Sequence, residues 1–263
     1  MVMLHGWPET SYCWRHVMAA LGDDFRMIAP DLRGIGDTSK PGGPHDKATV
    51  AGDIWAIMDG LGIERAVLVG HDIGARVAMR MTLDQPERVS SLVVINGRYP
   101  PLGGVKTSDP GQARERWYFF FHQHPDLVEA LVGKDVRAYY QHFLDNWSHP
   151  SFSFTEADIV EYVRAYSQPG SVRGACAHYQ AALNEDEPQW AADVGKTVAT
   201  PTLVLWGQDD VVSPPFYTEG YDEVFSDIDI RFVTPCGHFP QEERPEDTIA
   251  AMKEFLSEPS RRP

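Results

Sequence analysis

Asp72, Asp210 and His238 are the residues of this 263-residue chain whose types and settings could do chemistry together. Asp72 stands in "GHDIGA", directly after the apolar run "AVLV", where a strand ends and a helix begins. A carboxylate there has two readings. It is a cap on the helix N-terminus, or a nucleophile on a sharp strand-to-helix turn permitted by the flanking Gly70 and Gly74. His238, in "PCGHFPQE", is either a solvated loop histidine or a general base, since an imidazole titrates near neutral pH. Asp210, in "WGQDD", would orient and charge-stabilise that imidazole, while Asp209 beside it is read as solvated. The three follow the chain order nucleophile, acid, base.

Side chains so far apart in sequence meet only if several strands end together. "VMLHG", "RMIAPD", "AVLVGHD", "SLVVIN", "TPTLVLWG" and "DIRFVTP" read as strands, and the lack of polar alternation in "AVLV" marks a strand covered on both faces. Between them lie helical stretches. In "VAGDIWAIMDGLG", Ile54, Ile57, Met58 and Leu61 fall at i, i+3, i+4 and i+7, which predicts one apolar helix face. This β-α-β rhythm predicts an α/β fold with a doubly wound, mostly parallel sheet. It breaks after Arg98 into aromatic and polar helical stretches and resumes after Lys196. The expected organisation is therefore a core over residues 1–97, a helical cap over 98–197 inserted after a core strand, and the rest of the core over 198–263. Ligands of such sheets bind beyond the carboxyl ends of the strands, where the cap would sit as a lid. Acidic "NEDEPQ" reads as a solvated turn before the cap's exit.

Together with "HGWP" and "APDLRGIGDTSKP", these segments resemble the α/β-hydrolase fold, in its epoxide hydrolase and dehalogenase branch, from Val2 nearly to the C-terminus. The resemblance implies that Asp72 displaces a leaving group at saturated carbon, leaving an alkyl ester that water cleaves with help from His238. It also implies an oxyanion hole from the backbone N–H groups of Trp7 and Ile73. "RWYFFFHQHPDLVEAL" and "SVRGACAHYQAAL" are similar to the cap segments in which epoxide hydrolases carry paired tyrosines, here Tyr118 and Tyr179. The alternative is that both are packing aromatics. His5, Pro8, His71, Arg76, Trp117 and Phe239 are the expected pocket residues. Ile73 replaces the Trp of haloalkane dehalogenases and the Arg of haloacetate dehalogenases. Arg76 matches a second carboxylate-binding arginine of the haloacetate enzymes, or is salt-bridged on its helix. Asn96 stands where some relatives carry the triad acid, which favours Asp210. The expected function is epoxide opening to a diol. The alternatives are a hydrolytic dehalogenase of haloacids or haloalkanes, and a non-catalytic ligand-binding homologue.

Composition narrows the partners. A formal net charge of −15 repels nucleic acid and anionic membranes, so a small apolar epoxide or halogenated substrate and water are expected. Cys13, Cys176 and Cys236 form no CxxC and no even set, which argues against a disulfide framework or zinc knuckle. His122 and His124, at i and i+2 of a helix, point to different sides and make no metal pair. No cofactor is expected. No apolar run approaches the ~20 residues of a membrane helix, and a cytoplasmic location is expected. Relatives carry roughly one more β-hairpin before the "HG" strand, which predicts an exposed sheet edge here. Monomer and homodimer both stay open.

Overall fold

The computed structural model describes residues 1–102, 114 and 116–263. Five strands, β1 (Val2–Leu4), β2 (Ala66–His71), β3 (Val89–Ile95), β4 (Thr202–Gly207) and β5 (Ile228–Val233), pair in that order, every pair parallel. Strands β2, β3 and β4 are buried along their whole length, which is why their sequences carry little polar alternation. The alternating charges of β5, Asp229 and Arg231, mark it as the exposed edge, where they pair with each other at 2.7 Å.

"RMIAPD" does not form the expected strand. Ile28 makes a single parallel bridge to Val2, with Met3 N–H donating to Ile28 O at 2.8 Å and Ile28 N–H donating to Met1 O at 3.0 Å. Pro30 has no N–H, so the pairing cannot extend. The bridge still fixes the topology, because Val2 also pairs with Leu68 of β2 and the two neighbours occupy opposite edges of β1. After β1 the chain steps to one side and then returns to the other. That reversal opens a crevice beyond the ends of β1 and β2, the usual ligand position in a doubly wound sheet.

Around the sheet lie α1 (Arg15–Leu21), α2 (Lys47–Gly60) and α3 (Ile73–Asp84), α2 packing on α3 and α3 on β1, β2 and β3. Asp46 caps α2 by accepting from Thr49 N–H at 3.1 Å. The buried face of α2 runs through Val50, Ala51, Ile54, Trp55 and Met58. Leu61, expected on that face, is 44% exposed, because the helix ends at Gly60 and Leu61 turns away as its C-cap. Burial of each large apolar side chain on such a face contributes about 1.5–3 kcal/mol.

Between β3 and β4 the described residues hold six α-helices and no strand: α4 (Trp117–Phe121), α5 (Pro125–Val132), α6 (Val136–Trp147), α7 (Glu156–Tyr166), α8 (Ser171–Asn184) and α9 (Asp186–Ala191). A reciprocal capping box between Thr155 and Asp158 starts α7. Helix α5 packs on α8, and α6 packs on α7 with Tyr140 stacked against Tyr166 at 3.9 Å. The short α10 (Tyr221–Val224) and α11 (Pro240–Glu243) and the closing α12 (Pro245–Phe255) complete the chain's helices after β4, with α1 against α12. No helix of the described residues is long and apolar enough to cross a membrane.

Candidate active site

Parallel strands end on one side of the sheet, and four ends contribute. Asp72 follows β2, Asn96 follows β3, Asp210 lies three residues past β4, and His238 lies in the loop after β5. Close backbone approaches hold these loops together. A Cβ on Gly74 would stand 2.1 Å from Leu4 O, so only glycine lets α3 run against the end of β1. A Cβ on Gly207 would stand 1.8 Å from Gly237 O, so the same device joins the Asp210 loop to the His238 loop.

Asp72 has φ 47° and ψ −111°, and its side chain makes no capping bond to α3. An N-cap needs an extended backbone to turn its oxygen onto the first helical N–H groups; the left-handed φ turns it away. The conformation costs on the order of 1–3 kcal/mol. Instead Oδ2 accepts from Trp7 N–H at 3.3 Å. Burial alone would raise the Asp72 pKa, yet it lies below the ordinary carboxylate value, because His238, Arg76, His71 and the Trp7 N–H favour the anion.

His238 is fully buried, with Nδ1 2.8 Å from Asp210 Oδ2. Its Nε2 has no protein partner among the described residues. Burial pulls its pKa down, but Asp210 first, then Asp72 and Glu9, hold it above the usual histidine value. Asp210 is itself fixed. Oδ1 accepts from Val212 N–H at 2.7 Å and Ser213 N–H at 3.0 Å, and Oδ2 accepts from Asn96 Nδ2 at 2.5 Å. Asn96, noted in the sequence only as a missing acid, thus supports the acid from the next strand, and its Oδ1 accepts from Gly207 N–H at 3.1 Å. Asp209 is 44% exposed, in keeping with its solvated reading.

Tyr118 on α4 and Tyr179 on α8 are buried and meet edge to face at 5.6 Å, both against the Trp7 indole. They share one cavity wall with Asp72, Ile73, Arg76, Trp147 and Ser213. Burial raises both phenol pKa values, so both stay protonated donors at neutral pH. The cavity is narrow, about 10 Å³, room for about one water. Beyond it, sharing Arg76, Arg116, Phe119 and Ala182 as walls, lies a larger cavity of about 460 Å³.

Several expected pocket residues lie elsewhere. Trp117 is 43% exposed and stacks on Phe143, because one step along a helix turns a side chain by about 100° from Tyr118. His5 is buried and bonded within the core, Nδ1 2.8 Å from Gly6 O and Nε2 accepting from Leu32 N–H at 3.0 Å. Pro8 is buried and does not line the Asp72 cavity, and Phe239 packs between Trp147 and Phe154. His71 bridges Glu9 Oε2 at 2.8 Å and His238 O at 2.7 Å, so it steadies the His238 loop instead of facing the cavity. Arg76 does line the cavity, but it is not salt-bridged on its helix. The ion pair there belongs to Arg80 and Asp84, and Arg76 Nε is buried without a partner among the described residues. "NEDEPQ" is exposed at Asn184, Glu185, Glu187 and Pro188, with a turn at Glu185, but the solvated reading fails at Asp186. Asp186 starts α9, is buried, and pairs with the buried Lys47 at 2.9 Å. Trp147, Arg116 and Lys47 were not singled out by sequence, since nothing in their local patterns separates them from packing or surface residues. His122 is buried with Nε2 2.9 Å from Tyr139 Oη, and burial pushes its pKa down to about 3.

A family model described as the alpha/beta hydrolase fold matches residues 1–245. The chain is 35% identical over 263 residues to the soluble epoxide hydrolase of Corynebacterium sp. (strain C12), covering 98% of this chain and 90% of that protein. It is 32% identical over 268 residues to the fluoroacetate dehalogenase of Burkholderia sp, covering 98% and 87%. Among solved structures, "Epoxide hydrolase CorEH without ligand" superposes with a TM-score of 0.89 at 34% identity, covering 97% of this chain and 90% of that one.

Proposed function

The chain belongs to the alpha/beta hydrolase fold family and is a hydrolase, and from that premise we propose that it opens epoxides to vicinal diols through an ester on Asp72. The observation that carries this reading is one cavity wall holding the Asp72 carboxylate together with two buried phenols. In the first step a free Asp72 oxygen attacks a ring carbon. The C–O bond breaks, its electron pair moves to the epoxide oxygen, and a phenol of Tyr118 or Tyr179 gives that oxygen a proton. In the second step His238 Nε2 takes a proton from water, and the hydroxide adds to the Asp72 carbonyl. The oxyanion forms at Oδ2, which Trp7 N–H already contacts, with Ile73 N–H as second donor. The phenolate, whose pKa burial raises, regains a proton from solvent while the ester persists. Collapse then breaks the ester bond, the leaving alkoxide takes the proton of the new carboxylic acid to complete the diol, and the imidazolium returns its proton to solvent. The segment between β3 and β4, as a cap, keeps the reaction from bulk water.

A turnover assay on styrene oxide, chloroacetate and fluoroacetate, reading diol and halide, tests the assignment. Diol without halide is expected. A second reading, hydrolytic dehalogenation by the same Asp72, is favoured by Arg76 and the Trp147 indole in the cavity wall, and halide without diol would replace the epoxide reading by it.

Replacing Tyr118 and Tyr179 together by Phe should slow epoxide opening by about 10²–10⁴-fold, the usual range for a general acid. Unchanged single-turnover kinetics would make them packing residues. The pH dependence carries a further sign. Asp72 raises the His238 pKa while it is an anion, and esterification removes that charge. Decay of the ester requires neutral His238, so it should be lost as pH falls, with a midpoint below the His238 pKa of the free enzyme. Rapid-quench decay rates set beside an NMR titration of His238 measure both, and a midpoint at or above the free-enzyme value refutes the coupling.

A further inference from the structure

Arg98 and Arg116 carry charge that the reaction above does not use. Arg98 follows β3, is about nine-tenths buried, and has Nε and Nη1 without partners among the described residues. Arg116, just before α4, is equally buried and donates from Nη2 to Val212 O at 2.8 Å. Both guanidiniums sit over the one ring of Tyr217, at 5.2 and 5.6 Å. Both line the 460 Å³ cavity, and Arg76 joins that cavity to the Asp72 cavity.

Like charges this close and this buried repel, and burial together with Arg76 and Arg116 pushes the Arg98 pKa down to about 9. The acids in the same wall do not answer them. Asp186 is committed to Lys47 at 2.9 Å, and Glu187 is exposed. In a chain of net charge −15, a cavity lined by guanidiniums that have no carboxylate partner among the described residues has a specific electrostatic preference. Planar guanidiniums match the two oxygens of a carboxylate. The narrow cavity at Asp72 has no room for the body of a substrate, which must extend past Arg76 into the larger space.

We propose that the substrates are epoxides bearing a carboxylate several bonds from the ring, with the ring carbon at Asp72 and the carboxylate held by Arg98 and Arg116. This rests on the epoxide reading, and the test separates the two. Binding of unreactive 4-ethylbenzoate and 4-ethylbenzamide is measured by calorimetry, and turnover is compared for 4-carboxystyrene oxide and its carboxamide. Benzoate is expected to bind at least tenfold tighter than the amide, and the acid epoxide to have at least tenfold higher kcat/KM. Arg98→Gln and, separately, Arg116→Gln should remove both preferences, with an unchanged circular-dichroism spectrum and thermal melt reporting an intact fold. Equal binding of acid and amide by the wild-type protein overturns the inference, as does a binding preference unmatched in turnover when both epoxides yield diol. An arginine-dependent binding preference with no diol from either epoxide keeps the carboxylate site and overturns the epoxide reading instead.

Discussion

Asp72→Asn is expected to lower turnover by on the order of 10⁴-fold or more while the protein stays folded. An amide oxygen is too weak a nucleophile to displace an alkoxide from saturated carbon. The structural cost is small, because Asn has the same shape and tolerates a positive φ better than most residues, so the 47° of this turn is retained. The amide oxygen can still accept from Trp7 N–H, which Oδ2 meets at 3.3 Å in the native chain. Burial opposes the Asp72 anion, but His238, Arg76, His71 and the Trp7 N–H outweigh it and hold the pKa below the ordinary value, so the neutral variant should melt somewhat lower while staying folded. Diol formation, a thermal melt and an intact mass excluding deamidation check all three statements. Native turnover in a homogeneous, non-deamidated sample of this variant would show that the nucleophile lies elsewhere.

His238→Gln should separate the two half-reactions. Alkylation of Asp72 does not need the imidazole as base, so the epoxide still adds, once per molecule. Hydrolysis does need it, and decay of the ester should slow by about 10³–10⁴-fold. Intact mass after mixing with substrate should then report the protein plus one whole epoxide, with the adduct on the peptide carrying Asp72. Gln brings no positive charge opposite Asp210, but the Asp210 Oδ2 keeps its bond from Asn96 at 2.5 Å, so the acid is not left wholly unpaired. If no adduct accumulates with a substrate that the native enzyme turns over, the ester mechanism loses its support.

Both predictions rest on an arrangement whose chemical end was readable one segment at a time. The uninterrupted apolar strands, the glycines around Asp72 and the loop positions of Asp210 and His238 are local patterns, and each reflects a local physical need: burial on both faces, a left-handed turn, a strand ending in a polar loop. The structure departs from the local patterns where a residue's fate depends on its neighbours in space. Leu61 fits the helical period of α2 but lies past its end. Trp117 adjoins Tyr118 in sequence, yet the helix turns the two apart. Asp186 sits in an acidic run that reads as solvated, and only the buried Lys47 of α2 draws it inside.

What the sequence determined by itself is therefore the α/β core, the choice of Asp72, Asp210 and His238 as the proposed reactive set, and the selection of Tyr118 and Tyr179 from among the aromatics between β3 and β4. The first two are carried by periodicity and by residue types at strand ends, and the third by resemblance of the surrounding segments; none needs knowledge of distant contacts. What only the tertiary structure decided is the second half of the site: Asn96 supporting Asp210, His71 steadying the His238 loop, Arg76 left without an ion pair among the described residues, and Arg98 and Arg116 gathered over Tyr217. The physical reason is that hydrogen bonding and charge act through space. A guanidinium is an ordinary surface group or a buried binding site according to which carboxylates the fold brings within reach.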